Sequence, residues 1–291
     1  MCGMITGLLP IDCVRERGYP YPVLVNLYAK MGLHRYNMLK GTNFQLDSLV
    51  KFNMLQNCVS SVYMTLLAHE PAPDPLAKTF QVRVDEHKAN SLAFECSIAR
   101  IKDEVITKKP FVPHFHGDAL AYGIFKGELP NWPSDDALND GKRFYLVRLS
   151  LKESEWQAND WISMYLELVI CAHDRRIRKR DVYSQLEILE VAIETGVEDV
   201  EPPIETGVED VEPPNERLNA TSVNVYIKFK GMENVITPMM IFESGEHVEH
   251  KAVVRRVLNE HSGDMTLSGK FCGGLSTKKK IQSSKKRTRS D

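Results

Sequence analysis

No two of the six cysteines (Cys2, Cys13, Cys58, Cys96, Cys171 and Cys272) stand in a C-x-x-C pair. This excludes the usual zinc-ribbon and thioredoxin-type spacings. No apolar stretch approaches the roughly 18 to 20 residues that a bilayer-spanning helix needs. The first residues, MCGMITGLLPIDCVRERG, have no basic n-region, and Pro10 interrupts their short apolar run, so they do not read as a signal peptide. There is no G-x-S-x-G, no P-loop and no dinucleotide fingerprint. The expectation from these absences is an intracellular protein with free thiols, in the cytoplasm or nucleus and without a membrane partner. The sequon Asn219-Ala220-Thr221 then goes unused.

What remains is ordinary for a folded protein: 291 residues, 43% hydrophobic and 26% charged. The net charge of −2 is too small to name a partner, but it is unevenly spread. Acid concentrates between Glu187 and Glu216, and the last sixteen residues hold seven Lys or Arg against one Asp.

From Pro22 to Lys40 the apolar positions Leu24, Leu27, Met31 and Leu39 recur at helical spacing, with proline at the entry and Gly41 as a stop. Gly32 falls mid-helix, where it costs roughly 1 kcal/mol relative to Ala. A sheet wrapped closely around the helix there would explain it. The period then changes to two. Phe44 to Met54, Val62 to Ala68, Phe80 to Val84 and Leu92 to Ile98 alternate as strands. Residues 110–140 are irregular. Strand patterns resume at Phe144 to Leu151, then at Ile162, Met164, Leu166, Leu168 and Ile170, and later at Leu186–Ile188, Val223–Phe229, Ala252–Leu258 and Met265–Leu267. The eleven residues IETGVEDVEPP at 193–203 recur unchanged at 204–214, a tandem copy whose acid and proline content implies a disordered loop insertion.

The order LYAKMGLHRYN (27–37), FQLDSLVKFN (44–53), SVYMTLLAHE (61–70) and FQVRVDE (80–86) resembles plant cystatins over roughly residues 20–102. Longer blocks, GLHRYNMLKGTNFQL, WPSDDALNDGKRFYLVRLSL, NDWISMYLELVICAHDR and KAVVRRVLNEHSGDMTLSG, are similar to an uncharacterised, plant-specific, multi-copy family. It is the cystatin-related family named after a male-sterility protein, with an embryo-defective member. The resemblance implies no catalytic residue and no cofactor.

The expected fold is α+β: a cystatin-like helix-on-antiparallel-sheet module followed by a mostly β second half. Its organisation would be an N-terminal extension at 1–19, the cystatin-like module at 20–109 and an irregular connection at 110–140. A mostly β region follows at 141–275, with a disordered acidic repeat insertion at 193–216, and then a disordered basic tail at 276–291.

Three candidate sites emerge. By resemblance, the first hairpin of a working cystatin reads Q-x-V-x-G; here Gln56 is kept, but Cys58 and Ser60 replace the valine and glycine, a degenerate inhibitor hairpin. His114, His116 and Asp118 have H-x-H-x-D spacing suited to a metal, as in a metal-dependent hydrolase, but no further ligand is identifiable and the set is weak. The tail clusters Lys278-Lys279-Lys280 and Lys285-Lys286-Arg287 suit the acidic grooves of a nuclear import receptor. No base-reading module accompanies them, so specific nucleic-acid binding is not expected. Taken together, these readings point to a non-enzymatic protein–protein interaction protein of unknown partner.

Overall fold

Pro22 opens the first long helix, where its fixed φ suits the first turn and its missing N–H leaves no orphan donor. The helix, α1 (Pro22–Lys40), stops at Gly41, whose φ of 64° lets its N–H turn back to the Asn37 carbonyl at 2.8 Å. Asn37 then fixes the exit into the sheet. Its side chain donates to the Phe44 carbonyl at 3.0 Å and accepts from the Phe44 N–H at 2.9 Å.

In a computed structural model, the structure describes residues 7–15, 18–55, 59–72, 75–104, 125, 127–139, 141, 143–147, 160–175, 177, 186–195, 214–231 and 249–272. The strands are β1 (Leu8–Asp12), β2 (Gln45–Leu55), β3 (Ser61–His69), β4 (Lys78–Glu86), β5 (Leu92–Ile101), β6 (Phe144–Val147), β7 (Glu187–Thr195), β8 (Ser222–Lys230), β9 (His250–Leu258) and β10 (Met265–Phe271). The other helices are a single turn α2 (Asp135–Leu138), the long α3 (Asp160–His173) and the short α4 (Pro214–Asn219).

The ten strands among the described residues form one antiparallel sheet in the order β1-β2-β3-β4-β5-β10-β9-β8-β7-β6. The chain order within it is a repeat. β1, α1 and then β2 to β5 make one strand–helix–four-strand unit, and β6, α3 and β7 to β10 make a second with the same sequence of pairings. The units meet through their last strands, with Met265 opposite Cys96 and Gly269 opposite Leu92. Both long helices lie on one face. There Phe52, Met64, Leu66, Phe80, Val82, Val84 and Phe94 continue into Val225, Ile227, Val254 and Leu267 as one hydrophobic core.

Two glycines let this core close. A Cβ on Gly32 of α1 would stand 2.3 Å from a Val82 methyl, so the sheet does wrap the helix there. A Cβ on Gly269 would meet Leu92 at 2.7 Å and Val169 of α3 at 2.9 Å, at the seam between units.

The expectation of a helix-on-sheet module followed by a mostly β half is therefore overturned. The sheet is continuous, and the second half carries its own helix where a strand was expected. The cause lies in residues 162–172. Ile162, Met164, Leu166, Leu168 and Ile170 alternate, but Tyr165, Val169, Cys171 and Ala172 are also buried. A helix apolar almost all round satisfies a period of two as well as 3.6. The N-terminal 1–19 segment holds edge strand β1, where Pro10, lacking an N–H, makes a poor template for further pairing.

Candidate functional site

His114, His116 and Asp118 lie outside the described residues, as do Gln56, Cys58 and the tail residues Lys278, Lys279, Lys280, Lys285, Lys286 and Arg287. Ser60 is described, at the entry to β3. It is buried, its hydroxyl donates to the Leu55 carbonyl at 2.6 Å, and its N–H donates to Glu86 Oε2 at 2.9 Å. Glu86 closes the loop by donating its own N–H to the Ser60 carbonyl at 2.9 Å.

Glu86 is the hub of a buried network. Its carboxylate also accepts from the Tyr28 hydroxyl of α1 and from Arg175, just beyond α3. Burial, and then the adjacent carboxylate, pushes the Tyr28 hydroxyl well above the usual phenol range, so it remains a donor. The Arg175 guanidinium lies 5.9 Å from the ring of Tyr21, the residue that caps α1. One ion pair thus joins a hairpin and a helix of the first unit to the helix of the second.

A second network surrounds Arg256 of β9, which is fully buried between the apolar Val254 and Leu258 on its strand face. Its Nη2 donates to the carbonyls of Leu218 and Ala220 at 3.0 and 2.6 Å, at the end of α4. Its Nη1 lies 3.4 Å from the Tyr165 hydroxyl and 3.3 Å from His34 Nε2, and the guanidinium covers the Trp161 ring at 4.9 Å. Arg35, the next residue of α1, donates to the Gly263 carbonyl in the β9–β10 hairpin at 2.6 Å.

The third network is on the opposite sheet face. Glu194 of β7 accepts from Tyr226 at 2.7 Å, Asn224 at 2.9 Å and Arg143 at 2.6 Å. Burial alone would raise its pKa, but these three hydrogen bonds hold it below the usual carboxylate range. Around it, residues 128–138 strap the outer face of the second unit. Arg255 donates to the Glu128 carbonyl, Lys270 to the Leu129 carbonyl, and Trp132 packs edge-on against Tyr226. Leu138 at the end of the strap packs with Phe144, Ala192, Tyr226 and Val253 as a small second core.

Among the described residues no group of three or more His, Cys, Asp or Glu is placed to hold a metal ion. Burial pushes the Cys96 thiol up to about 12, which leaves it a small apolar filler and not a nucleophile. The networks at Glu86 and Arg256 escaped sequence reading, although a signal was present. Phe80, Val82, Val84 and Glu86 share one strand face, as do Ala252, Val254, Arg256 and Leu258. A charge on an apolar face marks a buried polar junction.

Comparison with known proteins gives consistent results. A family model described as Protein MS5 matches residues 129–267. A UPF0725 protein of Arabidopsis thaliana is 52% identical over 330 residues, spanning 96% of this chain and 84% of the relative. The UPF0725 protein EMB2204 of the same plant is 43% identical over 257 residues, spanning 88% of this chain and 69% of its own length. The crystal structure of MS5 from Brassica napus matches with a TM-score of 0.59 and 28% identity, covering 86% of this chain and 97% of that one.

Proposed function

The chain belongs to the plant UPF0725 family, which includes relatives of MS5, and from that premise we propose that it is a non-enzymatic protein–protein interaction protein. One observation carries the reading. Among the described residues, three strongly perturbed groups, Tyr28, His34 and Tyr226, are each engaged in joining structural elements, at Glu86, Arg256 and Glu194, and a fourth, Cys96, is a buried filler. Groups poised for acid–base chemistry are perturbed to meet a substrate. Here the burial and pairing serve to lock two units into one rigid sheet, the property a docking scaffold needs. The basic tail with Lys278–Lys280 and Lys285–Arg287 acts in this reading as a nuclear address on that scaffold.

The test is purification from plant tissue of the full chain and of a copy truncated after Leu275. Any co-purifying protein is then rebound to the pure chain and its stoichiometry measured. A partner that rebinds both forms at a fixed ratio supports the reading. The reading fails if no protein rebinds either form while the pure chain inhibits papain or turns over a substrate with stoichiometric metal. Import receptors captured only by the full chain would assign the tail its address role.

A further inference from the structure

His34 projects from α1 into the junction where α3, β9 and the end of α4 meet. Its ring stacks on Trp161 at 5.8 Å with an interplanar angle of 13°, and Nε2 lies 3.0 Å from the Tyr165 hydroxyl. The partners fix its state. Arg256 Nη1 carries only N–H groups, so at 3.3 Å from it Nε2 has to be the unprotonated acceptor. The Tyr165 hydroxyl accepts from Nη1 at 3.4 Å and turns its own proton toward Nε2. The ring is therefore neutral, with its proton on Nδ1.

We infer that His34, Tyr165 and Arg256 form a proton-sensitive latch on the α4 connection. A proton on Nε2 would point at the guanidinium, and the Tyr165 oxygen, which already accepts from Arg256 Nη1, would be the one acceptor left for two neighbouring cations. The far side of the same guanidinium holds Leu218 and Ala220 by their carbonyls. Disturbing Arg256 therefore acts directly on the end of α4. That segment is a six-residue helix, held also by the Leu258 N–H on the Thr221 carbonyl, by Arg217 on the Gly141 carbonyl and by packing of Leu218 and Ala220 against the core.

The groups facing His34 reinforce the direction. From β9 the charged neighbour is Arg256, from α3 come Tyr165 and Trp161, and at the end of α4 the carbonyls of Leu218 and Ala220 reach Arg256. On α1 itself, Arg35 is turned to Gly263, and Lys30 is paired with Asp160 at 3.5 Å on the more exposed rim. Burial first, and then Arg256, holds His34 well below the usual imidazole range. The depressed value means that the closed state binds fewer protons than the open one. Closure is fully present above the ordinary value of about 6.5 and is lost as pH falls below it. Each pH unit below about 6.5 should multiply the open-to-closed ratio by about ten, until His34 itself protonates.

Hydrogen exchange on the full chain, corrected for intrinsic rate, tests this between pH 7.5 and 5.0. Amides of residues 217–221 should lose about tenfold protection per pH unit below about 6.5, while β8 and β9 amides stay protected. His34→Gln, which keeps an acceptor but does not titrate, should flatten that slope. Tyr165→Phe serves as the second variant: it should lower protection at all pH values and retain the slope. Uniform loss across the sheet, no pH dependence at 217–221, or an unchanged slope in His34→Gln would each overturn the latch.

Discussion

Replacing Gly32 by Ala sets two effects of opposite sign against each other at one atom. In an unconstrained helix interior the change stabilises by about 1 kcal/mol, because Ala loses less backbone entropy on folding. Here the added Cβ would lie 2.3 and 2.7 Å from the two methyls of Val82. Favourable carbon–carbon contact lies near 3.5–4.0 Å, so an atom must move by over 1 Å. Val82 cannot rotate away, since both of its branches are in contact and it is buried in the middle of β4. Overpacking of this kind costs about 1–3 kcal/mol and occasionally more. With two contacts this short the clash falls in the upper half of that range, about 2–3 kcal/mol, so the net loss is about 1–2 kcal/mol and the melting temperature falls by about 2–4 °C. Thermal unfolding followed by circular dichroism reads the shift. Val82→Ala alone should also destabilise, by leaving a cavity, but the double variant should lose clearly less than the sum of the two. A higher melting temperature for Gly32→Ala, or strict additivity with Val82→Ala, refutes the close approach of helix and sheet.

Three other outcomes follow from the networks and the repeat. Arg175→Met should cost about 3–5 kcal/mol in urea unfolding, because Glu86 is left charged and buried; adding Glu86→Gln should restore part of the loss. Deleting one eleven-residue copy, which yields the same chain whichever copy is removed, shortens the 196–213 connection between β7 and α4 from eighteen residues to seven. Loop-closure entropy then favours the shorter chain by only about 0.8 kcal/mol, so a large loss of stability would mean that the second copy packs. Glu194 has a depressed pKa when folded, so its contribution is fully present above the ordinary value of 4.5 and is lost as pH falls below that through the lower folded value. Acid titration of Trp132 fluorescence should report the strap loosening in that window, and Glu194→Gln should remove this step.

Most of the first unit, β1 excepted, was legible from local sequence signals. α1 is bracketed by Pro22 at its entry and Gly41 at its stop, and in β2 to β5 apolar residues alternate with polar ones along the chain, so capping residues and period locate them. Gly32 showed the same clarity: a glycine with no local reason predicts a close neighbour, and Val82 is that neighbour. α3 was illegible because no Gly or Pro between residues 153 and 181 marks its ends, and its apolar residues at 162, 164, 166, 168 and 170 fit a period of two as well as a helix. The unity of the sheet was also unreadable, since the pairing of Leu92–Cys96 with Met265–Gly269 leaves no local trace. The candidate junctions were half visible, as charges set in apolar strand faces, but their partners came from remote helices.

The seam between the units also governs how the chain can be made. β5 and β10 pair residues separated by roughly 170 positions, while most other strand pairs join near neighbours along the chain. During synthesis the first unit can assemble as soon as β5 emerges, because its own pairings are local. The outer edge of β5, with buried Leu92, Phe94 and Cys96, must then wait for the last strand of all. Until β10 arrives, the growing chain carries an open apolar edge, the feature that invites wrong pairing with another nascent copy. The time needed to translate residues 102–265 is the window in which a chaperone has to shield it.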